Sequence, residues 1–174
     1  MKPAKHLTLS GLMLSIGLIL PFLTGQIPEL GARLLPLHLP VLLCGFLCPW
    51  PYSLAVGLIL PLFRSLLFSM PPMFPTAAAM SVELAIYGLV TSLLYHRLPK
   101  RPFYVYVSLI GGMLCGRIAW GATSYLLLGL SGSQFNLALF WAGAFANAVP
   151  GILLQLILIP ILVFTLKGAK LLDE

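Results

Sequence analysis

The stretch HLPVLLCGFLCPWPYSLAVGLILPLFRSLLFS, residues 38–69, decides the fold, because it reads either as one long membrane helix or as two. At its middle, Pro49 and Pro51 flank Trp50. Proline removes a backbone donor and pushes the residue before it out of the helical region, so a turn belongs there. The expectation is a short span at 38–48 and a second at 52–69. Every later span changes direction if the two are merged.

Outward from that point, apolar runs at about 7–24, 74–95, 103–129 and 136–166 complete a count of six. The first follows Lys2, Lys5 and His6 and is similar to a signal peptide. Its apolar stretch is long for one and no A-x-A-like site follows, so it is read as a span. A turn is expected at Ser131–Gln134. The last run is long for one untilted helix, and kinks are expected at Pro150-Gly151 and Pro160. The predicted fold is an all-α integral membrane protein, a bundle of six transmembrane helices forming a single domain over 1–174.

Composition agrees with that reading. The 174 residues are 60% hydrophobic and 8% charged, with a mean hydropathy of +1.03, whereas soluble domains carry about 25% charge. A net charge of +6 reads as topology rather than nucleic-acid binding, since the basic residues stand at segment ends without a stripe or aromatic interleaving. With both termini cytoplasmic, Lys2, Lys5, Arg97, Lys100, Arg101, Lys167 and Lys170 lie inside and Arg33 in an outer loop. Merging the spans at 38–69 would put the Arg97–Arg101 cluster outside. The three cysteines, Cys44, Cys48 and Cys115, fall in apolar segments with no complement of metal ligands at useful spacing. No metal, cofactor or structural disulfide is expected.

Ionisable groups inside a membrane cost at least about 2.5–3.5 kcal/mol each, so each one needs a reason. Glu83 lies inside the fourth span with Tyr87 one turn later on its face. Arg117 falls near the middle of the fifth, with Trp120 on the same side. Arginine stays charged and must find an anion, carbonyls or water. Asn147 is set among small residues in the sixth span. Arg64, close to the outer end of the third, either snorkels to the interface or faces inward. His38, at the outer mouth of the second, is either a solvated neutral imidazole or part of the same site. Glu83 and Arg117 either lock two helices together or, with Tyr87, Trp120 and Asn147, form an apolar pocket with a few oriented polar groups, the usual make-up of a small-molecule site. Gly111, Gly112, Gly116 and Gly121 keep the fifth span thin around Arg117. Gly11 and Ser15 make a small-x-x-x-small face on the first span that can dock another helix.

The motifs exclude several functions. No G-x-S-x-G or H-E-x-x-H is present, which argues against a hydrolase, and no phosphate loop, which excludes a self-powered pump. No span carries the continuous polar stripe of a channel. A proton-coupled transporter using Glu83 stays open as an alternative, although a proton site is expected to lack a fixed cation beside it.

Three segments carry a family resemblance: RLLPLHLPVLLCGFLCPWPYSLAVGLILPLFRSLLF (33–68), MPPMFPTAAAMSVELAIYGLVTSLLY (70–95) and GRIAWG (116–121). Together they resemble the substrate-binding S components of energy-coupling factor (ECF) vitamin transporters. The resemblance implies a prokaryotic plasma-membrane protein that captures a vitamin or related micronutrient from outside. Its partners would be a transmembrane scaffold subunit and two cytoplasmic ATPases, with the S component toppling in the bilayer to release cargo. It also implies a site built by Glu83, Tyr87, Arg117, Trp120 and Asn147, lidded by GQIPELGARLLPLH (25–38) and SMPPMFP (69–75); Arg64 and His38 join the candidate binding residues through their own positions near the outer ends of their spans, not through the resemblance. Many members meet the scaffold through Ala-x-x-x-Ala on the first span; this chain carries Gly11-x-x-x-Ser15 there. Counting Arg64 and Arg117 against Glu83 leaves one positive charge, which favours an anion such as pantothenate. If Arg64 snorkels, a B6 vitamer or a nucleobase-like precursor fits as well.

Overall fold

In the computed structural model, residues 3–24, 27–130 and 136–169 are described. They form α1 (Pro3–Ile19), α2 (Pro28–Leu34), α3 (His38–Leu47), α4 (Trp50–Phe68), α5 (Ala78–Arg97), α6 (Pro102–Leu130), α7 (Leu137–Trp141) and α8 (Val149–Gly168), with no strand among the described residues. The stretch at 38–69 divides at its prolines. α3 ends at Leu47, the backbone of the following Cys48 is extended, and α4 starts directly after Pro49. Pro51 then occupies the first turn of α4, where an amide proton would have no helical partner anyway.

Among the described residues, five stretches are long and apolar enough to cross a membrane: Pro3–Leu23, Trp50–Phe68, Met73–Arg97, Pro102–Gly129 and Ala138–Gly168. The expected second span is different. α3 has ten residues, about 15 Å at ~1.5 Å per residue, half of a ~30 Å hydrocarbon core. It is also enclosed: Val41, Leu42 and Cys44 are wholly buried, and α3 packs against α1, α4, α5 and α8. The protein, not lipid, surrounds it.

Two boundaries differ from expectation. The span expected from Phe74 begins its regular helix at Ala78, because Met73–Ala77 forms a wide turn in which Phe74 is extended (φ −122°, ψ 136°). Pro75 explains this, since the residue before a proline avoids helical geometry. In the last run the break falls just before the expected Pro150-Gly151 kink. α7 passes into a wide turn at Ala142–Ala146, the chain turns at Asn147–Ala148, and Pro150 sits in the first turn of α8. Pro160 is inside α8. The expected turn at Ser131–Gln134 lies outside the described residues, as do Gly25 and Gln26 of the first expected lid.

In lipid, helices associate through close packing rather than hydrophobic exclusion, so small residues at contacts matter more than apolar area. α5 is the centre of this packing and touches α3, α4 and α6. At Gly57 of α4 an added Cβ would lie 2.2 Å from the Leu84 carbonyl oxygen, and at Gly88 of α5 one would lie 2.4 Å from the Ser53 carbonyl oxygen. Ser53 Oγ donates to the Gly88 carbonyl at 3.1 Å. The obstacle is backbone on both sides and cannot yield locally. Gly57→Ala is therefore expected to destabilise by about 1–3 kcal/mol through overpacking. Gly11→Ala, whose Cβ would meet nothing within 4 Å, should leave thermal stability in detergent unchanged. Equal melting of the two variants would refute this packing.

Candidate functional site

Thr76, Met80, Glu83 and Tyr87 follow one another along a single face from the wide turn at 73–77 into α5. The first three line a cavity of about 470 Å³, whose wall also includes His38, Arg64, Arg117, Trp120, Gly143 and Asn147. Ile27, Gly31 and Leu35–Leu37 close it from the α2 side, and Met70–Pro72 from the loop after α4. Both expected lid segments thus contribute to its wall. Most of the lining is apolar, which leaves orientation to a few charged groups.

Those groups are concentrated on Glu83. Its Oε1 accepts from Arg117 Nη1 at 2.8 Å and stands 3.2 Å from His38 Nε2. Glu83 and His38 are each 1% exposed and Arg117 4%. With its proton on Nε2, His38 donates to the carboxylate, and one oxygen then bridges an imidazole and a guanidinium. The cost of desolvating both charges offsets much of their attraction, so the pair is weak evidence for net stability.

Arg117 is only partly satisfied. Nε and Nη2 are buried and make no hydrogen bond of normal geometry to the described residues, with the Tyr87 side chain as a polar neighbour. These two nitrogens make the side-on edge of the guanidinium, whose parallel N–H groups match the two oxygens of a carboxylate. Glu83 holds the opposite corner at Nη1. The salt bridge therefore orients Arg117 without consuming the edge best suited to an anion.

Arg64 does not snorkel. Its side chain is buried, with Nη1 donating to the Leu18 carbonyl and the guanidinium carbon 5.0 Å and 5.1 Å from the Phe22 and Phe68 ring centroids. The Phe22 and Phe68 rings meet edge-to-face at 5.0 Å. Stacking of this kind suits the planar, weakly hydrated guanidinium. Arg64 lines the cavity together with Arg117 and Glu83, so two guanidiniums and one carboxylate border it, one positive charge in excess.

Trp120 forms a wall between two neighbours: its ring stacks near Phe140 at 6.4 Å and 28°, and a Cβ on Gly143 would lie 2.6 Å from its Cη2. Asn147 reaches the cavity because the helix breaks there, at the turn between Ala146 and α8.

Tyr87 is placed differently from the expectation that it lines the pocket. It is fully buried beneath the cavity, edge-to-face with His38 at 5.1 Å. A Cβ on Gly116 would lie 2.1 Å from Tyr87 Cδ2, so the absence of a side chain there is what lets α6 close over this ring. Tyr87 supports His38 from below. His38 is correspondingly no solvated residue at a mouth: it is enclosed and bears on Glu83. Thr76 and Met80 were not singled out in the sequence, although the α5 face they share with Glu83 was the available signal. The expected docking residues Gly11 and Ser15 both lie exposed on α1, away from the cavity lining.

Among the described residues no group of three or more His, Cys, Asp or Glu side chains could hold a metal ion. A family model described as ECF transporter, substrate-specific component, matches residues 5–163. No curated protein and no solved structure matches the chain.

Proposed function

The chain belongs to the substrate-specific components of ECF transporters, and from that premise we propose that its cavity captures a small monocarboxylate through the free edge of Arg117. It is a multi-pass membrane protein and the substrate-binding subunit of an importer, not an enzyme. The observation that carries the carboxylate reading is a buried arginine in the cavity wall whose Nε and Nη2 make no hydrogen bond of normal geometry to the described residues. The burial of Arg64 supports it, because the excess positive charge stays with the cavity. Glu83 orients Arg117 in the empty site, while Trp120, Met80 and the lid residues embrace the apolar body of the ligand and Asn147 and Thr76 offer polar contacts. Pantothenate, a monocarboxylate with a flexible hydroxylated body, fits best; a B6 vitamer or a nucleobase-like precursor comes after it.

In this reading α3 counts as a sixth, shortened span. Both termini are then cytoplasmic, in a prokaryotic plasma membrane, and the cavity opens outward. Gly11 and Ser15, exposed on α1, offer the close-packing face for the transmembrane scaffold that carries two ATPases. Vesicles containing this chain with scaffold, ATPases and internal ATP are expected to accumulate labelled pantothenate, and vesicles lacking the scaffold module are not. Uptake driven by a pH gradient without ATP would point instead to a proton-coupled transporter using Glu83.

A further inference from the structure

A second cavity, about 70 Å³, lies where α5, α6 and α8 end together and is lined by Tyr95, Lys100, Arg101, Val105, Phe164 and Lys167 among others. Three basic residues, Lys100, Arg101 and Lys167, border it. Lys100 Nζ donates to the Tyr95 carbonyl at 2.8 Å and stands 3.9 Å from the Tyr95 ring centroid, and Lys167 Nζ donates to the Lys100 carbonyl at 3.3 Å. Each ammonium is thus held in place by one bond and keeps two further donors. Burial first, and then the neighbouring Lys167 charge, lower the Lys100 amine from the ordinary lysine range.

No described carboxylate answers these cations. The sequence has four acidic residues: Glu29, Glu83, Asp173 and Glu174. Glu29 is in α2, Glu83 precedes Tyr95 by about three helical turns on α5, and the last two lie outside the described residues. The α6 N-terminus adds to the field. Its first turn, from Pro102, borders the cavity, and helix N-termini attract anions. The surroundings are apolar: Val105 and Val163 in the wall are buried, Phe164 in the wall is 38% exposed, and Phe103, which follows the lining residue Pro102, is 70% exposed.

We propose that the Lys100–Arg101–Lys167 cavity binds the phosphate of an anionic phospholipid, with an acyl chain running along the exposed apolar side of α6 and α8. The size suits a phosphate group rather than a whole metabolite. A basic pocket between helices at a bilayer surface is the setting in which such headgroups are held. The proposal does not depend on which ligand fills the larger cavity.

Native mass spectrometry of the purified protein, titrated in neutral detergent with dioleoylphosphatidylglycerol or dioleoylphosphatidylcholine, tests it. The wild type is expected to retain the anionic lipid at least about tenfold better. Lys100→Gln with Lys167→Gln should erase that preference, whereas Lys5→Gln with Arg97→Gln, which removes as much charge outside the cavity, should keep it. Equal retention of both lipids by the wild type, a comparison needing no variant, would overturn the proposal. So would equal loss in both variants, since that means diffuse attraction. Complete displacement by millimolar inorganic phosphate would assign the site to the free anion instead. A wild type without lipid preference, whose cavity variant no longer co-purifies with the scaffold, would assign it to an acidic protein surface; that too contradicts a lipid site.

Discussion

Arg117→Ala is expected to abolish high-affinity ligand binding and to lower stability at the same time. Losing one member of a buried, hydrogen-bonded charge pair with a ligand costs about 2–5 kcal/mol, or ~30-fold to several thousandfold in Kd. The stability loss has a separate origin, because Glu83 would be left buried with only His38 beside it. Removing one partner of a buried ion pair costs about 3–5 kcal/mol. The double variant Arg117→Ala with Glu83→Ala separates the two effects. With both charges gone, melting in detergent should recover toward the wild type while binding stays lost. If the double variant also binds, Arg117 has no part in recognition.

Glu83→Gln should act in the opposite sense on binding. The substitution keeps the shape but removes the negative charge 2.8 Å from Arg117 Nη1, so the empty protein carries an uncompensated buried cation and melts lower. An anionic ligand then supplies the missing charge. Because a ligand stabilises only the state it binds, its addition should raise the melting temperature of Glu83→Gln more than that of the wild type. Affinity for the anion should be kept or increased. A tenfold or greater loss of affinity, with a smaller ligand-induced shift, would mean that the ligand presents a cation or a donor to Glu83.

The sequence was most legible where covalent geometry dictates the backbone. Pro49 and Pro51 divide α3 from α4 whatever surrounds them, and Pro75 delays the start of α5 to Ala78 in the same local way. The Glu83–Arg117 pair was legible for an energetic reason, since two opposite charges in apolar spans have few other solutions. The roles of His38, Tyr87 and Arg64 were not, because they depend on contacts between distant segments. His38 meets Glu83 only because α3 is enclosed by α1, α4, α5 and α8. Helical spacing put Tyr87 on the face of Glu83, but the close approach of α6 at Gly116 covers it. Arg64 is kept from the interface by Phe22, which stands in the 3₁₀ turn Leu20–Thr24 after α1, and nothing near Arg64 in the chain announces that partner. Helix length was the other gap: hydropathy marks α3 as apolar without showing that protein rather than lipid surrounds it.

The most direct test is to extract the small molecule retained by the purified wild-type protein and by Arg117→Lys, and to identify both by mass spectrometry. Lysine keeps a positive charge for Glu83 but presents a point charge in place of the paired N–H edge. Capture through Nε and Nη2 predicts a single monoanionic carboxylate in the wild type and its absence from a folded Arg117→Lys protein. A neutral or cationic compound, or one retained equally by both proteins, would contradict it.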